Sequence, residues 1–422
     1  MKKIVLLLSV LALSLFTSCQ KKVDEETIKG LCYDIEYIQI DLQNAACKEL
    51  YDPAPFEELK AEIKTGTVDT EECISRLQKI IHGYNVIHLN LYRNQEHVAY
   101  YGQRIPFVFL CYGNEYRIVF STKKYKKYLG WKLAGVGDYT VEQVRDKLAD
   151  YRPFETETGK KFVIGRQYYN DYKQAGLLEK NGKIRFKFQN DSGNEDEVII
   201  KIVDTINPQL IHLSSEIRVP DLPSYNMNVG CNNYYLSFCP EIKTIYVHYE
   251  SCESLYDYNF SSLIDDLMNE LHRNDYKTIV WDVRKNGGGL LYDMNLLHML
   301  LYSNKEELEK YNQAVVFGGN TYSAAVDFID RFLTTFPNAV LFGEESGQAI
   351  DNFTCVCPYE LKHLKCMFNY PTSTDDTPAL HERFKDTSRG VIPDVQVLDD
   401  YNILFTGKDA AYLAVEEYFK SE

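Results

Sequence analysis

A serine at a strand-to-helix turn, with a glycine-rich turn from a neighbouring strand within reach, is equipped for nucleophilic acyl transfer. Two stretches of this sequence supply those parts. Tyr322-Ser323-Ala324-Ala325 follows the apolar run Ala314-Val315-Val316-Phe317 and the break Gly318-Gly319-Asn320, and Ser323 opens a helical pattern through Phe328, Phe332 and Leu333. A helix amino terminus behind the serine favours developing negative charge. Asn286-Gly287-Gly288-Gly289 ends the run Thr278-Ile279-Val280-Trp281. An oxyanion needs two convergent N–H donors, and the candidates are the backbone of Ala324 and one of Gly287 and Gly288. Without a Cβ, the glycine backbone can approach a substrate closely. Taken singly, each motif has a plainer reading, as a phosphate-binding turn or strand exit for the glycines and as a helix cap for the serine.

The elements around these residues alternate. After Thr278–Trp281, apolar residues Leu291, Met294, Leu297, Leu300 and Leu301 recur at helical spacing, and a third run, Ala339-Val340-Leu341-Phe342, ends at Gly343-Glu344. Short apolar strands joined by helices predict right-handed crossovers and a largely parallel sheet flanked by helices. In such a sheet the functional groups gather at the carboxyl ends of the strands, where both motifs fall. Thr244–Tyr249 adds a strand, and Phe260, Leu263, Ile264, Leu267 and Leu271 add a helix.

Trp281-Asp282-Val283-Arg284-Lys285-Asn286-Gly287-Gly288-Gly289, Asn320-Thr321-Tyr322-Ser323-Ala324-Ala325, Gly343-Glu344 and Gly390-Val391-Ile392-Pro393-Asp394 occur in this order. In that series the sequence resembles the carboxy-terminal processing (tail-specific), tricorn-like serine peptidases, over about a third of the chain. The resemblance implies a ClpP/crotonase-like α/β catalytic domain, peptide or protein substrates, no metal or organic cofactor, and Ser323 as nucleophile. It also implies a base. The family's serine–lysine branch carries a lysine near the place of Gln348, whereas the other branch takes a histidine from ahead of its PDZ-like module. His88, in Val86-Ile87-His88-Leu89, matches that histidine by position and by its place in an alternating run, with His82 and His97 as neighbours of the same type. Imidazole suits the task because its unperturbed pKa lies near working pH. In the same branch an acid shortly before the last motif orients the histidine. Glu382 and Asp386 are the available carboxylates, and the sequence does not choose between them.

The chain has 422 residues, 45% hydrophobic and 25% charged, enough for a core and for two or three domains. A net charge of −15 argues against nucleic acid as a partner. Residues 1–18 have a basic start, an apolar run from Ile4 to Phe16 and small residues before Cys19, the pattern of a signal peptide. They resemble a bacterial lipoprotein signal, which implies lipidation at Cys19, a tether over 19–26, and a protein anchored to an envelope membrane, facing the periplasm or the surface. Ten further cysteines in an oxidising compartment make disulfides an expectation, with pairing unreadable.

Helical spacing of Ile28, Leu31, Ile35, Ile38 and Leu42, then of Phe56, Leu59, Ile63, Cys73, Leu77 and Ile81, predicts a helical cap over 27–102. Residues 103–204 resemble a PDZ-like module. Its paired strands lie around Gly113-Asn114, its helix is capped by Thr140, a closing hairpin turns at 190–194, and 151–182 form an insertion. Such modules bind peptide ends by adding a strand, although a purely structural part suits this one equally. Pro208, Pro220 and Pro223 mark the linker into the catalytic domain, 205–422. Cys355, Cys357, His363 and Cys366 fit no common zinc spacing and read as a hairpin, so no metal is expected. Two other classes stay open, a catalytically silent peptide-binding protein of this fold and an acyl hydrolase acting on a non-peptide substrate.

Overall fold

The computed structural model describes residues 22–93, 104–165, 169–200, 210–212, 228–404 and 406–420, with 210–212 described by backbone alone. The signal-like start, Cys19, His97, Pro208, Pro220 and Pro223 lie outside them. Asp24 accepts the Thr27 N–H at 2.8 Å and starts helix α1 (Glu25–Asn44). Two glutamates in its first turn suit the positive end of the helix dipole, so the polar segment expected as a tether becomes helix from Glu25. Helices α2 (Ala54–Lys64) and α3 (Thr70–His82) follow, the latter capped by Asp69 on the Glu72 N–H at 2.9 Å. Their apolar faces, Leu31, Ile35, Phe56, Leu59, Leu77 and Ile81 among them, share one core. The alternating run expected from His82 becomes strand only at β1 (Asn90–Arg93). Asn85 takes a φ of +53°, and the Leu89 N–H closes a turn on the Val86 carbonyl at 3.0 Å. His88 therefore sits in a turn and not in a strand.

The next sheet is antiparallel throughout. Strands β2 (Phe107–Tyr112) and β3 (Glu115–Thr122) meet at Gly113, whose φ of +61° suits a residue without Cβ. Strands β4 (Lys132–Val136) and β5 (Tyr139–Thr140) lead into α4 (Val141–Ala149), where Thr140 and Gln143 cap each other's backbone. Short helices α5 (Glu157–Lys160) and α6 (Tyr169–Gln174) precede the hairpin of β6 (Ile184–Gln189) and β7 (Glu195–Ile200), and β8 (Leu210–His212) pairs with β3. The order is β2-β3-β4-β6-β7. Phe107, Phe109, Phe186 and Phe188 fill its core, Phe107 edge-on to Phe186 with centroids 5.8 Å apart.

A second seven-stranded sheet carries the two motifs. It contains β9 (Val229–Gly230), β10 (Tyr234–Cys239), β11 (Thr244–Tyr249), then α7 (Phe260–Arg273), β12 (Thr278–Asp282), α8 (Leu291–Ser303), α9 (Lys305–Leu308), β13 (Asn312–Phe317), α10 (Ala324–Thr335) and β14 (Val340–Gly343). The chain then leaves as a long hairpin, β15 (Phe353–Glu360) and β16 (Cys366–Thr374), before α11 (Pro378–Arg383), β17 (Val395–Gln396), α12 (Tyr401–Leu404) and α13 (Ala410–Lys420). Strands β11, β12, β13, β14 and β17 are successively parallel, while β10 and β9 run antiparallel at the edge. Helices α7, α8 and α10 cover one face around Trp281, Phe328 and Phe332, and α13 covers the other through Tyr412 and Val415. Each fully buried aromatic of this kind contributes about 1.5–3 kcal/mol on leaving water.

The hairpin does not stay with that sheet. Strand β16 pairs with β1, and Leu361, Leu364, Cys366 and Phe368 enter the core of the amino-terminal helices. Buried Asp34 on α1 receives the N–H groups of His363 and Leu364, each at 2.7 Å. The carboxyl-terminal half thus grips the amino-terminal helices and holds the turn bearing His88 beside the central sheet. None of the ten described cysteines forms a disulfide: Cys47, Cys73, Cys239, Cys252 and Cys366 are buried thiols, and Cys355 and Cys357 are exposed on β15.

Candidate active site

The turn after β13 is built to present Ser323. Buried Thr321 donates from Oγ1 to the Val283 carbonyl at 2.8 Å and accepts the Gly318 N–H at 3.2 Å. The Tyr322 N–H donates to the Asn286 carbonyl at 3.1 Å, so the serine turn and the glycine turn are stitched together. Ser323 itself adopts φ +53°, ψ −134°, a conformation costing about 1–3 kcal/mol for a residue with a Cβ. The Ser323 N–H donates to Oε1 of Gln348. Helix α10 then begins directly behind the hydroxyl.

The two candidate glycines have different surroundings. Gly288 has φ +95°, and a Cβ on it would stand 2.7 Å from Cβ of Ser323 and 3.1 Å from N of Ala324. Its N–H is already given to Oδ1 of buried Asn286, at 2.9 Å, while Nδ2 of Asn286 holds the Tyr249 carbonyl at 3.0 Å. Gly287 faces open space and lines, with Ser323, Tyr322 and His88, a cavity of about 1000 Å³. Of the alternatives read from sequence, Gly288 shapes the turn and Gly287 faces the cavity.

His88 reaches Ser323 across 235 residues of sequence, its Nε2 standing 3.2 Å from Oγ. Burial pushes the imidazole below its ordinary pKa, partly opposed by the Phe353 carbonyl, so the ring is neutral at neutral pH. Its Nδ1 is buried and makes no hydrogen bond of regular geometry with the described residues. His82 lines the same cavity but is engaged elsewhere, 2.8 Å from Oδ1 of Asn90, and burial pushes its pKa down to about 4.

Neither expected acid meets the histidine. Glu382 is exposed on α11, and Asp386 is exposed and accepts from Oγ of Ser388 at 2.6 Å. The reason is the anchoring of α11: Asp330 of α10 receives the Leu380 N–H at 3.0 Å and turns Leu380 inward, leaving Glu382 outward. The buried carboxylates lie elsewhere. Asp327, one turn beyond Ser323, sits against Asp375; burial and that neighbour raise Asp327 to about 8, and burial raises Asp375 as well. No sequence signal singles out this pair, because i+4 from a serine is also ordinary helix register. Gln348 is visible in the sequence only as the occupant of the lysine position, and its hold on the Ser323 amide emerges with the fold. Among the described residues no cluster of three or more metal-ligating side chains occurs; Cys355 and Cys357 lie on β15, Cys366 on β16, and His363 packs its ring against Tyr33.

No protein-family model matches the sequence, and no curated protein does. Solved structures do. Mature CPAF complexed with lactacystin aligns with 94% of this chain and 98% of its own at a TM-score of 0.64 and 12% identity. Mature CPAF alone gives 93%, 96%, 0.63 and 13%. The photosystem II D1 C-terminal processing protease aligns with 90% of this chain and 98% of its own at 0.43 and 12%. The chain has the mixed α/β fold seen in mature CPAF, along nearly its whole length.

Proposed function

We propose that this protein is a serine peptidase in which Ser323 is the nucleophile and His88 the general base. The observation that carries the reading is the 3.2 Å approach of His88 Nε2 to Ser323 Oγ in a fold shared with peptidases. Oγ attacks the peptide carbonyl while Nε2 takes its proton, and the imidazolium then protonates the leaving amine. Water repeats the sequence on the acyl-enzyme. The N–H groups of Ala324 and Gly287 face the developing oxyanion, and no cofactor takes part. Gln348, replacing a lysine, takes no proton in this scheme and fixes the serine backbone instead.

Residues 103–204, with their antiparallel sheet, are the PDZ-like unit in this reading, with 27–102 a cap and 205–422 the catalytic part. The edge strand of that unit offers a place for a peptide to add. The sequence of residues 1–19 supports anchoring to a bacterial envelope membrane through lipidated Cys19.

One observation favours a second reading, a peptide-capturing protein of the same fold: among the described residues no carboxylate bonds Nδ1 of His88 to stabilise an imidazolium. Labelling of residues 20–422 by a fluorophosphonate, read by intact mass, separates the two. The peptidase reading expects a single adduct that disappears in Ser323→Ala and His88→Ala. A folded protein that takes no adduct, yet retains peptides, overturns it in favour of capture.

A further inference from the structure

We propose that Glu155 is a positioning residue that fastens the turn carrying His88 to the loop carrying Gln348, and so holds both partners of Ser323 in register. The inference rests on the peptidase reading for its consequence, not for its geometry. Oε1 of Glu155 accepts the Ile87 N–H at 2.9 Å, and Oε2 accepts the Ala349 N–H at 3.0 Å. Ile87 immediately precedes His88, and Ala349 immediately follows Gln348. One of those neighbours meets the serine hydroxyl and the other its amide. A single carboxylate therefore bridges the two chain segments that meet the nucleophile.

The residues that follow Glu155 run along the same loop. Thr156 donates from Oγ1 to the Ser346 carbonyl at 2.9 Å, and Lys161 pairs with Glu344 at 3.0 Å. At Gly159 a Cβ would fall 2.5 Å from the Tyr322 hydroxyl and 2.6 Å from the Gly347 oxygen, so this strip lies directly against the turn of the nucleophile. The strip belongs to the segment between β5 and β6, which the sequence presents as an insertion. From this segment the antiparallel module sends one carboxylate between the turn that follows α3 and the loop that follows β14.

The chemistry requires an acid. Two N–H donors converge on opposite oxygens, and only an ionised carboxylate offers an acceptor to each at charge-assisted strength. A carboxamide keeps one acceptor and turns an NH2 toward the other N–H. Burial raises the Glu155 pKa to about 7, helped by nearby Asp375 and opposed by the two N–H bonds. The two N–H bonds thus offset only part of the cost of enclosing the charge, and the clamp is at full charge-assisted strength only above about pH 7.

The test uses Glu155→Gln and Glu155→Ala in residues 20–422. Hydrogen exchange at the Ile87 and Ala349 amides reads the clamp, and fluorophosphonate labelling, resolved into its maximal rate and its half-saturation, reads the consequence. Faster exchange at both amides is expected, with the maximal rate falling on the order of 100-fold, as a misplacement near 1 Å produces, and half-saturation little changed. Thermal unfolding keeps a folded variant distinct from a collapsed one, and Glu155→Gln is the milder of the two. Unchanged exchange at either amide overturns the clamp, as does labelling at the parent rate in a folded variant. If the parent protein takes no label, the peptidase reading falls, and the exchange result alone decides the clamp.

Discussion

Gly288 lies so close to the nucleophile that a Cβ on it would meet Cβ of Ser323 at 2.7 Å and the Tyr322 carbonyl at 2.9 Å. The neighbouring glycine has no such constraint, since a Cβ on Gly287 meets nothing within 4 Å. The two residues therefore predict opposite phenotypes for the same substitution. Gly288→Ala pushes backbone against backbone at φ +95° and should cost about 1–3 kcal/mol of stability, as overpacking does. Gly287→Ala should unfold within about 0.5 kcal/mol of the parent while filling the floor of the cavity, so that labelling of Ser323 slows in a fully stable protein. Urea unfolding of both variants beside labelling rates checks the pair.

The base should work at a lower pH than free histidine would. Burial lowers the His88 pKa from 6.5, and only the Phe353 carbonyl opposes it. A group with a depressed pKa stays neutral, and hence able to accept a proton, until pH falls through that depressed value. The pH at which labelling of Ser323 falls to half its plateau rate should therefore lie below 6.5. A half-rate point at or above pH 6.5 would contradict the burial argument and point to another titrating group.

Asp327 and Asp375 predict the pH dependence of stability. Burial and mutual proximity raise Asp327 from 3.8 to about 8, and Asp375 is raised too. The folded protein consequently holds a proton that the unfolded chain releases from about pH 4 upward. Stability must then fall as pH climbs from the unfolded value toward 8, the reverse of a salt-bridged aspartate. Glu155, raised to about 7, adds in the same direction over the lower part of that range. Asp327→Asn removes the repulsion and should flatten the decline, giving a urea midpoint at pH 8 closer to that at pH 5 than the parent shows.

How much of this was readable before folding follows from which interactions are local. The apolar runs of β12, β13 and β14 and the helical spacing of α8 and α10 are nearest-neighbour patterns, and the turns holding Ser323 and Gly287 sit where those patterns break. Thr140 as a helix cap is equally local. The placement of His88 beside Ser323 agrees with the motif order, yet its strand context does not, because a positive φ at Asn85 and the turn at Val86–Leu89 depend on no periodic signal. Glu382 stands outward for a longer-range reason. Which face α11 buries is decided by Asp330, some fifty residues earlier, and no spacing within the helix records that contact. Glu155 was invisible for the same cause, since its two donors lie 68 and 194 residues away.

The Asp-x-Arg of the glycine-turn motif predicts a structural defect instead of a catalytic one. Arg284 donates from Nη2 to Asp282 at 2.6 Å and to Asp409 at 2.9 Å, and from Nη1 to Asp399 at 3.1 Å. Tyr412 donates its hydroxyl to the same Asp282 carboxylate, which ties α13 to the end of β12. Burial alone would raise the Asp282 pKa, but the guanidinium beside it holds the carboxyl well below the usual range. Removing the cation leaves buried Asp282 facing half-buried Asp409 without its counter-charge, which should cost roughly 3 kcal/mol. Arg284→Ala should therefore lower the urea midpoint strongly while the adduct still forms at Ser323 in the fraction that stays folded. Arg284→Lys keeps the charge but cannot fork to two carboxylates at once, and its loss should be intermediate. A lysine variant as stable as the parent would mean that charge alone, without the planar fork, holds the carboxyl-terminal helix in place.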